Sequence, residues 1–420
     1  MLVRVSHSEG RTSLADYRSA LTTRAARWPA IASVLARLPI AMIGISALLY
    51  VQRETGSFAA AGLVSAGSLV GVSVGAVIQG RLIDRFGPTR PLLVASLLLA
   101  LSMTALVTAI ESHASTPALV AFAVVTGLSE PMVGSASRAL WTRLLPAGGA
   151  RNAAFSYEAI SMEVFFILGP GLAGLLVLAP WAGTGLVLGV VLQFSGAVLF
   201  ALSPAVRSWG RSSEPGGSLL GALASPGMRT LALAALGFGV VIGFVEVAVP
   251  ASATEAGSPS FGGLLLSAWS LSSVAFGVAY SLRPWPRRMG LRLPALLGAF
   301  GALVALLAWP SSLWGLALMM LLAGALITPQ STAHSSAIEL VAPSGTAAEA
   351  FGWVLTAVTL GLAAGQSISG YVVEHAGPSA AFLAASVAGL VLAAVVWLLR
   401  GTVRAPQQVT AVSELVGAGR

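Results

Sequence analysis

The chain has 420 residues, 56% of them hydrophobic and only 9% charged, with a net charge of +8. Soluble domains carry roughly 25% charged residues, and here apolar runs of about 20 residues, enough to cross a hydrocarbon core of about 30 Å, recur nearly throughout. No polar face recurs at helical period, which excludes a soluble helical protein. Cysteine and lysine are both absent, which removes disulfide frameworks, thiolate metal sites and a Walker-type ATPase loop; no cofactor, metal or enzymatic activity is expected.

Residues 1–27 form a polar tail with Arg4, Arg11, Arg18, Arg24 and Arg27. It runs straight into a full-length span, so it is not a cleavable signal peptide. Arginines 18–27 suit anchoring to anionic lipid better than nucleic-acid binding. Twelve spans are predicted, at 28–50, 58–79, 91–111, 117–140, 152–178, 183–203, 229–252, 260–282, 292–309, 312–337, 350–373 and 378–400. The arginines of the even-to-odd loops (Arg81, Arg85 and Arg90; Arg143 and Arg151; Arg207, Arg211 and Arg229; Arg283, Arg287, Arg288 and Arg292) fall on the side of the tail, and only Arg53 lies opposite. Both termini are therefore expected in the cytoplasm. The expected organisation is a tail 1–27, a six-helix bundle 28–203, a central loop 204–228, a second bundle 229–400 and a tail 401–420, in an all-α, multi-pass protein of the plasma membrane.

Span one carries Arg37 at depth. Span two carries Gly67, Gly71 and Gly75, a helix-packing ridge. The stretch Gly71-Val-Ser73-Val-Gly75 also fits a serine-hydrolase elbow, but that motif needs a strand-to-helix turn. After span two comes Gly80-Arg81-Leu82-Ile83-Asp84-Arg85-Phe86-Gly87-Pro88-Thr89-Arg90, with one of only two aspartates in the chain. Gly80 and Gly87 permit close helix approach and a left-handed cap. Asp84 can accept hydrogen bonds from the N-terminus of a neighbouring helix, where the dipole favours an anion. An ordinary topogenic loop is the alternative reading.

Glu130 lies near the middle of span four, Glu163 in span five and Glu246 in span seven. An ionisable residue at such depth is paired or lines a wet cavity, and an unpaired carboxylate there suits proton coupling. Arg37 is the nearest cation to Glu130 by depth, and this pair is expected to couple proton and substrate; a static ion pair with Arg37 is the alternative for each glutamate. Glu158 stands about 140° round the helix from Glu163 and is expected to support the cytoplasmic end near Arg138 or Arg143. Span five contains Gly169-Pro170-Gly171-Leu172-Ala173-Gly174, where Pro170 should bend the helix and the glycines offer a smooth face. In span ten, Gln330 follows Pro329 at an expected helix break and is a candidate substrate contact. His334 is a weaker one, with packing as its alternative.

The chain repeats itself. Glu54-Thr-Gly56-Ser57 matches Glu255-Ala-Gly257-Ser258, with Gly62-Leu63 matching Gly263-Leu264 at the same offset. Gly149, Ala154, Phe155, Gly169 and Gly174 recur at one other offset as Gly345, Ala350, Phe351, Gly365 and Gly370.

The pattern Gly-x-Leu-x-Asp-Arg-x-Gly at 80–87, the six-plus-six repeat and the predicted topology resemble the major facilitator superfamily of transporters over the whole chain. The segment 169–174 resembles the Gly-Pro-x-x-Gly-Gly signature of its drug/proton antiporter branch, and the composition suggests a GC-rich, actinobacterial genome. The resemblance implies that Asp84 latches the halves against the start of span eleven, near Ala347–Ala350, and holds an outward-facing state. It also implies that spans one, four, seven and ten line a central cavity, placing Arg37, Glu130 and Glu246 on it. The family's usual basic residue after the second glycine is replaced by Pro88, and its basic motif in span four is missing. Three functions compete: proton-coupled efflux of an amphipathic or hydrophobic compound, uptake or uniport of a small metabolite, and a transport-inactive sensor or scaffold. Few hydrogen-bonding groups and a single asparagine, Asn152, favour amphipathic molecules over sugars. Expected partners are the small-molecule substrate, protons and the lipid bilayer, with no nucleic acid, and the protein is expected to act as a monomer.

Overall fold

The computed structural model describes residues 14–146, 149–209, 221–281, 288–343 and 347–404, which are helical almost throughout. In chain order the helices are α1 (Leu14–Thr22), α2 (Arg24–Arg37), α3 (Ile40–Thr55), α4 (Phe58–Phe86), α5 (Thr89–Glu111), α6 (Thr116–Leu128), α7 (Val133–Leu144), α8 (Gly149–Leu176), α9 (Thr184–Leu202), α10 (Pro204–Arg207), α11 (Pro226–Glu255), α12 (Ser260–Ser281), α13 (Met289–Ala305), α14 (Leu313–Gly324), α15 (Ile327–Val341) and α16 (Ala347–Leu398). Among the described residues, eleven helical runs are long and apolar enough to cross a membrane, the last being Glu349–Leu398.

That last run is two helices joined at Gly377, whose φ of 81° and ψ of 169° are not helical. Packing on α11 shows that the chain turns back there. Gly239 lies against the backbone of Val358, and Gly237, half a turn away, lies against Leu392. One unbroken helix from 358 to 392 would separate those contacts by about 50 Å, at 1.5 Å per residue. A glycine with positive φ followed by Pro378 is a suitable helix stop.

Three other runs are each built from two helices. The chain breaks at Leu38–Pro39 between α2 and α3, at Ser129–Met132 between α6 and α7, and at Ala325–Leu326 between α14 and α15. In the second break, the buried side chain of Gln79 from α4 satisfies exposed backbone groups. Its Nε2 donates to the carbonyls of Leu128 (3.2 Å) and Glu130 (2.8 Å), and its Oε1 accepts from Met132 N–H (3.1 Å). In the third, Ser273 of α12 accepts from Thr328 N–H at 3.1 Å. The break in span ten therefore lies before Pro329, which sits in the first turn of α15 where its missing N–H costs nothing. It does not lie at Gln330.

The repeat is visible in the geometry. Gly56 and Gly257 both close helices with positive φ, 69° and 72°. A Cβ on Gly127 would collide with the carbonyl of Ser68, and one on Gly324 would collide with that of Trp269. Gly71 and Gly75 of the α4 ridge meet the carbonyls of Val124 and Leu128 in the same backbone-to-backbone manner. Within the expected central loop 204–228, the described helical parts are α10, a 3-10 turn at Ala222–Ala224 and the start of α11. Residues 210–220, and 282–287 of the second arginine-rich turn, lie outside the described residues.

The half before α10 and the half from α11 onward meet along two seams. In one, α4 packs on the first leg of α16: Gly62 faces the carbonyl of Gln366, and Gly370 faces that of Phe58. In the other, α12 packs on α8: Gly263 faces the carbonyl of Pro170, and Gly174 faces that of Ser260. The glycines at these four contacts are repeat-matched pairs, Gly62 with Gly263 and Gly174 with Gly370, so the seams are two copies of one contact.

Candidate functional site

Both seams lie toward one end of the bundle, the end marked by Gly56. Among the described residues, the hydrogen bonds and glycine contacts that cross between the halves all fall there. At the opposite end, marked by Gly87, Arg81, Leu82, Arg85 and Phe86 of α4 are exposed, as is Phe351 in the first leg of α16. Among the described residues, the halves are joined at the Gly56 end, and no hydrogen bond or glycine contact joins them at the Gly87 end.

Inside the resulting cleft the residues sort by what holds them. Arg37 does not meet Glu130. It is an ion-pair partner of Glu158, with 2% and 1% of the two side chains exposed. Ser137 Oγ (2.6 Å) and Trp141 Nε1 (2.8 Å) donate to the other oxygen of Glu158, and Arg37 Nε donates to the Ser33 carbonyl at 3.2 Å. The guanidinium carbon lies 5.7 Å from the centre of the Phe165 ring. This pair is packed inside the first half, which corrects both expectations: Arg37 is not on a cavity, and Glu158 serves neither Arg138 nor Arg143.

Glu130 sits in the α6–α7 break and accepts from Gln193 Nε2 at 2.9 Å. Glu246 of α11 accepts from Gln366 Nε2 at 2.7 Å, so it is tied to the residue whose carbonyl faces Gly62. Glu163 differs. It is half-buried, and among the described residues no donor or cation reaches its carboxylate. It lies seven residues before Pro170, about 10 Å along the axis and within about 20° of the same face. That is the face of α8 that meets α12 across the seam.

The turn after α4 keeps part of its expected geometry. Gly87 caps α4 with a φ of 77° and donates its N–H to Ile83. Among the described residues, nothing lies within 4 Å of where a Cβ on Gly80 would stand. Arg85 and Arg90 are exposed; the side chain of Asp84 lies outside the described residues, as do residues 344–346 before the first turn of α16. Gly169 of the antiporter-like segment packs on Ala41 and Met42 of α3, within the first half, while Pro170 and Gly174 belong to the seam.

Gln330 and His334 are not open to a substrate. They are 0% and 3% exposed, face each other at 3.2 Å, and His334 stands edge-on to Phe238. Packing accounts for both. The exposed polar positions of span ten are instead Ser331, Ser335 and Glu339, one helical turn apart on the opposite face, and span four presents Ser135, Arg138 and Thr142 in the same way. Polar residues exposed within apolar spans belong to a wet cleft rather than to lipid. Their spacing of three to four residues was the available signal. Glu374, at the Gly56 end of the first leg of α16, accepts from Ser57 Oγ and Ala59 N–H of the other half and carried no sequence signal.

Comparisons with known proteins agree with this architecture. A sequence profile described as Major Facilitator Superfamily matches residues 30–285. No curated protein matches the chain by sequence. Among solved structures, the nucleoside transporter NupG superposes with a TM-score of 0.71 at 17% identity, covering 89% of this chain and 100% of that one. The peptide transporter POT in complex with sulfate superposes with a TM-score of 0.70 at 16% identity, covering 90% and 94%.

Proposed function

The chain belongs to the Major Facilitator Superfamily of secondary transporters, and on that premise we propose that it exports a small amphipathic organic compound in exchange for protons, by alternating access. In this reading the chain crosses the plasma membrane twelve times, α16 supplying the last two crossings, as two six-helix repeats with both termini in the cytoplasm. The Gly56 end is then the outer face and the Gly87 end the inner one. The described conformation, sealed at the first and open at the second, is the inward-facing state, and the protein works as a monomer.

The observation that carries the reading is Glu163, a carboxylate without a partner among the described residues, on the face of α8 that meets α12. A carboxylate so placed can hold either a proton or the polar head of a substrate, and exclusive occupancy by one or the other is what exchange requires. Glu130 and Glu246 are each held by a glutamine and are assigned structural roles, as is the Arg37–Glu158 pair. Asp84 is assigned the latch that engages when the Gly87 end closes. The segment Gly169-Pro170-Gly171 and the apolar cleft favour export of amphipathic molecules.

The test is transport of a panel of fluorescent amphipathic dyes into proteoliposomes under an imposed pH gradient. Parent protein should exchange dye for protons, and Glu163→Gln should not. Full gradient-driven flux in Glu163→Gln would sink the assignment. A second reading, proton-coupled uptake of a small metabolite, is favoured by the superposition on transporters of nucleosides and peptides. Dye or metabolite moving in the same direction as the proton would select it.

A further inference from the structure

Glu374, in the first leg of α16, closes a helix that belongs to the other half of the molecule. Its carboxylate accepts from Ser57 Oγ and, at 3.0 Å, from Ala59 N–H. Ser57 is the N-cap of α4, and its Oγ itself accepts from Ala60 N–H at 3.0 Å. The first turn of α4 therefore has its orphan N–H groups shared between its own cap and an acid from across the seam. The acid stands at the positive end of the α4 dipole, which makes the contact charge-assisted.

The second seam lacks this device. The repeat position matching Glu374 is Leu178, just beyond α8, and the residue matching Phe58 is Pro259, just before α12. Leucine offers no acceptor there. Both residues instead line a cavity of about 590 Å³, together with Gln52, Arg53 and Thr254. The same backbone seam is thus bolted by a carboxylate on one side and left hollow on the other.

We infer that Glu374 is a positioning residue of the transport cycle: by capping α4 across the seam it holds the Gly56 end shut, and opening of that end begins at the hollow α8–α12 seam. The inference rests on the alternating-access reading for its place in the cycle, but closure of the seam can be read without any substrate.

The chain contains no cysteine, so single reporters are clean. Ser267→Cys lies in the α8–α12 seam against Gly171, and Ser335→Cys is exposed in the cleft. A membrane-impermeant maleimide is applied to intact cells and, separately, to inside-out vesicles. Glu374→Ala should raise outer labelling of Ser267→Cys about tenfold and lower inner labelling of Ser335→Cys. Glu374→Gln, which keeps an acceptor oxygen without the charge, should fall between. Ser57→Ala, which removes one donor, should act in the same direction and serves if Glu374→Ala fails to reach the membrane. Unchanged labelling at both reporters, or an equal rise at both, would overturn the proposal. An opposed shift in a protein that moves no dye would leave the latch standing and remove the export reading instead.

Discussion

Arg37 and Glu158 form an ion pair packed almost wholly out of contact with water, and every polar neighbour that could help it lies in the same half of the molecule. The pair joins α2 to α8, with α7 supplying Ser137 and Trp141. It is a rivet within the first half and does not cross the seams between the halves. One guanidinium nitrogen, Arg37 Nη2, has no hydrogen-bond partner among the described residues, so the pair is not an optimised source of stability.

Removing one member should therefore be worse than removing both. Arg37→Met leaves Glu158 buried and charged, a loss of about 3–5 kcal/mol for a broken buried pair. Arg37→Met with Glu158→Leu should recover much of that, short of the parent because Ser137 and Trp141 lose their acceptor. Thermal unfolding in detergent reads both. A double variant less stable than Arg37→Met would contradict the account.

Glu163→Gln should abolish flux driven by a pH gradient while leaving substrate counterflow at zero gradient within about twofold, since exchange of substrate for substrate moves no proton. Glu130→Gln keeps an acceptor for Gln193 and should retain gradient-driven flux. Reconstituted vesicles measured in both modes separate the two. Loss of coupling in Glu130→Gln alone would transfer the role to the acid in the α6–α7 break.

Gly263→Ala should disfavour the sealed state. Its Cβ would overlap the carbonyl of Pro170 and crowd Gly174, and overpacking costs about 1–3 kcal/mol. The equilibrium should move about 5- to 150-fold toward an open Gly56 end, read by outer labelling of a seam cysteine. Gly62→Ala should do the same on the other seam. Gly44, with nothing within 4 Å of a Cβ, provides the control, and Gly44→Ala should leave labelling unchanged.

Asp84→Asn should reduce transport strongly while membrane insertion stays near normal. Loss of one charge-assisted hydrogen bond, about 1.5–3 kcal/mol, would shift the equilibrium about 10- to 150-fold toward the state open at the Gly87 end. Inner labelling of Ser335→Cys should therefore rise and outer labelling of Ser267→Cys should fall. Accessibility unchanged in both directions would remove the latch.

What the sequence disclosed follows from what one dimension can hold. Depth in the membrane is a position along the chain, so Glu130, Glu163 and Glu246 were legible as acids far from both ends of their spans. Repeat-matched glycines were legible too, and Gly62, Gly263, Gly174 and Gly370 turned out to be the seam contacts. Rotation about a helix axis relative to its neighbours is not encoded in any single helix. Arg37 was accordingly given Glu130, at matching depth, when its partner is Glu158 on a helix approaching from another side. The α6–α7 break was invisible because hydropathy runs through it, and its repair by Gln79 depends on a side chain from a different span. Glu374 sits near a helix end, where an acid is unremarkable until the facing N-terminus is known.

Contacts made by backbone against backbone have a consequence for how such a protein changes over generations. At Gly62, Gly174, Gly263 and Gly370 the two halves touch through carbonyl oxygens and bare Cα atoms, so this contact is largely indifferent to side-chain identity elsewhere. Residues such as Ser135, Ser331 and Ser335 can be exchanged without re-cutting that bearing. The lining of the exposed polar positions can change while the backbone contact between the halves is inherited intact.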